Sequence, residues 1–137
     1  MVWRNGVRLA HRNFKGGYYQ SGRDENYVWH NGQQTKVIPL RGVRQGNFSI
    51  DDVNENGVGV GWAETNFKPA RRFAFVVIKG QMISLNSLLP SGNWRLVHAR
   101  AINNRGQIAG DGFLNNRRQF FLLTPQTPAT SSTRTDE

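Results

Sequence analysis

Asp52-Val53-Asn54-Glu55-Asn56-Gly57-Val58-Gly59-Val60-Gly61 sets an Asn-x-x-Gly turn between two short apolar runs. The arrangement returns as Ala101-Ile102-Asn103-Asn104-Arg105-Gly106-Gln107-Ile108-Ala109-Gly110, and an earlier copy opens at Asn13-Phe14-Lys15-Gly16. The turns therefore recur at offsets of 41 and 49 residues. Asn and Gly tolerate the left-handed backbone of a hairpin loop, so each copy reads as a turn between antiparallel strands. A second turn recurs in step with the first: Trp3-Arg4-Asn5-Gly6-Val7, Trp29-His30-Asn31-Gly32-Gln33 and Ile78-Lys79-Gly80-Gln81. Asn-Gly suits a type I′ hairpin, which needs positive φ at both central residues, and Lys79-Gly80 is a poorer version of it. A period of forty-odd residues with these two turns reads as one sheet unit repeated along the chain. The expected fold is all-β: repeated four-stranded antiparallel blades, a β-propeller or partial propeller with about three blades per chain.

Strands fill the intervals between turns. The middle repeat (about 45–89) predicts Phe48–Val53, Val58–Glu64, Arg72–Ile78 and Gln81–Leu85. The last (about 94–125) predicts Val97–Ile102, Gln107–Phe113 and Arg118–Thr124. The first (about 8–40) predicts Arg8–Arg12, Gly17–Ser21, Asn26–His30 and Gln33–Ile38. Phe73-Ala74-Phe75-Val76-Val77-Ile78 and Phe120-Phe121-Leu122-Leu123 are apolar at consecutive positions, so both faces of those strands need cover, which implies stacked sheets. No helix is expected beyond one short turn near Ile83–Leu89, which Pro90-Ser91-Gly92 ends.

The last repeat supplies three strands, while residues 1–9 read as a strand end, a turn and a further strand. That N-terminal segment is expected to complete the last blade within a single β-repeat domain spanning 1–125. Propellers have about four to eight blades, so three repeats per chain predict a homodimer of six. The Thr/Ser/Pro-rich segment 126–137 reads as a disordered tail.

The composition narrows the chemistry. Cysteine is absent from the 137 residues, which excludes disulfides, thiolate zinc sites and thiol catalysis. Eighteen Lys and Arg against nine Asp and Glu give a net charge of +9, a balance that favours anionic partners such as nucleic acid or acidic polysaccharide. No apolar run is long enough to span a bilayer. Val2-Trp3-Arg4-Asn5-Gly6 after Met1 does not read as a signal peptide.

The repeated segments, together with Phe73-Ala74-Phe75, Leu85-Asn86-Ser87-Leu88-Leu89-Pro90 and Phe120-Phe121-Leu122-Leu123-Thr124-Pro125, resemble bacterial extracellular HAF repeats over about residues 27–125. In that family a His-Ala-Phe triplet opens the third strand of each unit. Here the positions hold Arg72 or Phe73 with Ala74 and Phe75, then Gln119-Phe120-Phe121, so the histidine is lost. The resemblance implies an extracellular, propeller-like, non-catalytic array and transfers no catalytic residues.

Candidate sites follow from the loops. Asp52, Asn54 and Asn56 with Gly57 match the opening of a calcium loop, because alternate oxygen ligands wrap a hard cation. The twelfth position is Ala63, however, and the last copy has Arg105 at a ligand position. A polar hairpin turn accounts for both copies, and no metal or cofactor is expected. Arg71 and Arg72, and Arg117 and Arg118, stand just before the third strands, with Lys68 and Asn115-Asn116 nearby. Equivalent loops emerge on one side of a blade array, so these cations are expected to share a basic rim that takes an anionic polymer; a solvated loop is the plainer alternative. Trp94, in the loop Gly92-Asn93-Trp94, is a candidate stacking surface, whereas Trp3 and Trp29 align with apolar Val77 and read as packing residues. His11, His30 and His98 have no recurring acidic or nucleophilic partner. A carbohydrate-active enzyme would draw on Asp51, Asp52, Glu64 or Asp111. The reading preferred over it is a non-catalytic binding or structural module.

Overall fold

The computed structural model describes residues 2–4, 7–9, 16–20, 25–90 and 92–126, with the side chains of Tyr18, 25–90 and 92–126. The chain is all-β. The first part holds β1 (Val2–Arg4), β2 (Val7–Leu9), β3 (Gly16–Gln20), β4 (Asn26–His30) and β5 (Gln33–Lys36). The middle holds β6 (Phe48–Val53), β7 (Gly59–Glu64), β8 (Arg72–Ile78) and β9 (Gln81–Ser84), and the last part β10 (Trp94–Ile102), β11 (Ile108–Leu114) and β12 (Arg117–Leu123). Short 3₁₀ turns occupy Gln45–Asn47 and Leu85–Leu88.

Each sheet is an antiparallel meander in sequence order: β1-β2, β3-β4-β5, β6-β7-β8-β9 and β10-β11-β12. The four expected strands of the middle repeat form one sheet, with Phe48–Val53 and Arg72–Ile78 at their expected bounds. The last sheet has three strands, and β10 begins at Trp94 rather than at Val97. In the first repeat β2 pairs with β1 and lies beside β3 without joining its ladder, so that sheet also has three strands. The turn at Asn13-Phe14-Lys15 and the expected tail from 127 onward lie outside the described residues.

The turn chemistry explains the pairing. Asn31 and Gly32 have φ of 51° and 80°, and Lys79 and Gly80 have 52° and 80°, the positive values a two-residue hairpin requires. The β11–β12 hairpin uses the same device at Asn115 and Asn116. In β7 and β11 the alternating glycines allow close approach. A Cβ on Gly61 would sit 1.8 Å from the Ser49 carbonyl oxygen, and one on Gly110 would sit 2.0 Å from that of His98.

The sheets stack face to face. One core joins Tyr18 and Val28 of the first sheet to Ile50, Val53, Phe75 and Val77 of the middle sheet. A second joins Val60, Ala74 and Val76 on the other face of the middle sheet to Leu96, Ala99, Ile102 and Phe121 of the last. The consecutive apolar residues of β8 are thereby buried in alternation toward two neighbours. The Asn-x-x-Gly turns add a polar seam at one end of the stack. The Asn54 Nδ2 donates to the Asn103 carbonyl at 3.0 Å, and the Glu55 N–H donates to Asn104 Oδ1 at 2.8 Å. Among the described residues no helix is long and apolar enough to cross a membrane.

Candidate functional site

The connections β7–β8 and β11–β12 lie at the end of the stack opposite the Asn-x-x-Gly seam, since the strands alternate in direction. They differ in length. The β11–β12 connection is the tight Asn115-Asn116 turn, whereas β7–β8 carries a loop over 65–71. The Thr65 N–H donates to the Arg71 carbonyl at 2.9 Å and the Arg71 N–H to Thr65 Oγ1 at 3.0 Å, closing the loop at its base. The Asn66 N–H donates to the Gly42 carbonyl at 2.7 Å, and the Phe67 ring lies over Gly42. The Lys68–Pro69 peptide bond is cis.

This loop walls one side of a cleft of about 800 Å³, and the start of β10 walls the other. Arg71, Arg72, Phe67 and Phe73 stand on the loop side and Trp94 and Arg95 opposite, with Ser84 and Asn86 between them. A smaller hollow of about 280 Å³ continues past Trp94 and Asn86 to Leu89, Pro90 and Gly92. Phe67 is 53% exposed, and Trp94 is half-buried with its ring edge-on to Phe121 at 6.5 Å. Among the described residues the lining holds three arginines and no carboxylate. The Arg72 guanidinium lies 4.0 Å from the Trp62 ring centroid and 3.7 Å from Glu64. That of Arg95 lies 4.5 Å from the Phe113 ring centroid.

Of the residues expected on a basic rim, Arg71, Arg72 and Trp94 share this cleft, and Lys68 sits in its loop without lining it. Arg117 and Arg118 start β12 at the same end of the stack but stand outside the lining, and Arg118 turns toward Asp111 at 3.6 Å. In place of an arginine pair the first repeat has Arg23-Asp24-Glu25, of which Arg23 and Asp24 lie outside the described residues. Sequence reasoning missed Arg95, because the strand was expected to start only at Val97. The available signal was its place beside Trp94.

The calcium-like turn directs its oxygens to backbone donors. Asp52 accepts from the Val53 N–H at 3.0 Å and the Ile102 N–H at 2.9 Å. Asn54 Oδ1 accepts from Asn56 at 2.9 Å and Val58 at 3.0 Å. The Asn56 amide reaches the Asn104 carbonyl at 3.4 Å. These three residues tie one hairpin turn to the next sheet. No group of three metal-ligating side chains is gathered among the described residues.

The remaining carboxylates end in separate settings. Asp111 is buried under Arg100 at 2.7 Å and Arg118, while Glu64 faces Arg72. Asp51 contacts His98 Nε2 and accepts from Ser49 Oγ at 2.9 Å, so His98 has the acidic partner that the repeat pattern did not reveal. The Ser49 hydroxyl donates to the carboxylate, whereas a nucleophile–base pair sets the hydroxyl against the imidazole. Comparison with protein-family profiles, curated sequences and solved structures finds no match to the chain.

Proposed function

We propose that the chain is a binding or structural repeat module of β-propeller type, without catalytic chemistry, whose ring is closed head to tail by a second copy. The observation that carries this reading is the outer face of the last sheet. Ala74 and Val76 of β8 are 0% and 4% exposed because the last sheet covers them. Phe120 and Leu122 hold the equivalent positions of β12, two and four residues after Arg118 as Ala74 and Val76 follow Arg72, yet they are 85% and 64% exposed. They are larger than the residues they match, and burying each such side chain stabilises by about 1.5–3 kcal/mol.

The other end of the stack offers the complementary face. Counting back from the hairpin turns, Tyr27 and Trp29 of β4 match Phe75 and Val77 of β8, which face the preceding sheet. The face of a copy that expects a following sheet can thus meet the face that expects a preceding one. Two such contacts close six sheets into a ring, a number propellers use. The edge of β12 lies beside the same contact, and the partner's N-terminal hairpin would add the fourth strand there, which removes an open edge. The HAF-like segments support the same architecture. Light scattering after size exclusion tests the reading. The expected mass is twice the 15.5 kDa of one chain, falling to a single chain when Phe120→Lys and Leu122→Lys are combined. A wild-type mass of one chain at every concentration removes the second copy.

A further inference from the structure

The cleft between the 65–71 loop and the start of β10 lies within one chain, so its chemistry stands apart from ring closure. We infer that this cleft binds single-stranded nucleic acid, with arginines on the phosphates and the Phe67 and Trp94 rings against the bases. Three observations lead there. Among the described residues the lining carries three arginines and no carboxylate, and only Arg72 is drawn to a carboxylate, that of Glu64 outside the lining, so the net field attracts a polyanion. Arg71 has no carboxylate partner among the described ion pairs, which leaves its guanidinium available to a phosphate. Flat rings interleave with the arginines, and the hollow runs on past Trp94 toward Leu89 and Pro90, as a track for a chain rather than a socket for one ion.

The same lining disfavours a neutral polysaccharide. Neutral sugars are held chiefly through hydroxyls that donate to carboxylate or carboxamide acceptors. The carboxamide in the cleft, Asn86, is engaged at both ends by the Leu96 backbone, at 2.9 Å through its Nδ2 and 2.7 Å through its Oδ1. The Thr65 hydroxyl oxygen already accepts from Arg71 N–H. Besides the Ser84 hydroxyl, what remains for a ligand is guanidinium donors and aromatic faces, which match phosphates and bases.

Fluorescence anisotropy of a labelled oligothymidylate of about ten nucleotides tests the inference, with heparin as the acidic-glycan arm. Binding at low salt is expected. Arg71→Gln should weaken it and lower the slope of log affinity against log salt by about 0.7, the loss of one phosphate contact. Trp94→Ala and Phe67→Ser should each weaken binding by roughly five- to a hundredfold, with Trp94→Phe restoring most of the loss. Phe67 is 53% exposed but packs over Gly42, so circular dichroism of its variant confirms the fold before binding is read. Arg105→Gln removes the same charge from the opposite end of the stack and should change affinity by less than about twofold. The inference is overturned by absence of binding at low salt, or by equal effects of Arg105→Gln and Arg71→Gln. It is likewise overturned if folded Phe67→Ser and Trp94→Phe proteins bind as wild type while Trp94→Ala also does, or if heparin binds more tightly than the oligonucleotide and loses affinity in the aromatic variants.

Discussion

Asn54 and Asn103 occupy the same place in successive repeats and each makes three side-chain hydrogen bonds, but only Asn54 is buried. Asn54, 3% exposed, accepts from Asn56 and Val58 through Oδ1 and donates from Nδ2 to the Asn103 carbonyl across the sheet boundary. Asn103 is exposed; it accepts from Arg105 at 3.0 Å and Gln107 at 2.9 Å, and donates to Gln107 Oε1 at 2.8 Å. Truncation to alanine removes three bonds in either case. At Asn54 the three bonds are partly buried, so each costs up to about 1 kcal/mol, and Asn54→Ala should lose about 2–3 kcal/mol. At Asn103 water replaces the lost partners, and the loss should stay near 1 kcal/mol. Asn54→Asp keeps the acceptor oxygens and loses the inter-sheet donor, so it should fall between the two. Urea unfolding followed by circular dichroism reads these differences as midpoint shifts at constant slope. Equal losses for Asn54→Ala and Asn103→Ala, or the reverse order, would refute the claim that the buried Asn54 side chain ties the middle sheet to the last.

Other outcomes follow from the packing. Gly61→Ala drives a Cβ into the Ser49 carbonyl and Gly110→Ala into that of His98, so each should lose about 3 kcal/mol or more or fail to fold. Gly32→Ala meets nothing within 4 Å, and its cost should be near 1 kcal/mol, set by its φ of 80° alone. Asp111→Asn leaves Arg100 and Arg118 without their buried carboxylate and should destabilise by roughly 1–3 kcal/mol, measured by thermal melting.

The sheets were legible in the turns. The paired Asn-Gly and Asn-x-x-Gly signals bound strands that the structure forms in the expected order. The cover of each face was not legible to the same degree. Phe73–Ile78 and Phe120–Leu123 look alike as strings of apolar residues, but β8 is covered on both sides and β12 on one, because cover depends on which sheet lies alongside and not on the strand itself. The cleft was half legible. Arg71, Arg72 and Trp94 stood out by position and exposure, while their meeting depends on the longer β7–β8 loop and on β10 starting at Trp94, which also brings in Arg95. The Asp51–His98 contact joins residues from different repeats, and its equivalents do not recur, so no local pattern announces it.

The absence of native cysteine allows the contact between copies to be tested by cross-linking. Leu122→Cys marks the outer face of the last sheet, and Gln34→Cys, paired across strands with Trp29, marks the first. Head-to-tail closure predicts that a two-chain species forms under mild oxidation when both cysteines are present and not with Leu122→Cys alone. Cross-linking by Leu122→Cys alone would show the two outer faces meeting each other, and no cross-link with both would show that the ends of the stack do not meet; either result contradicts the ring.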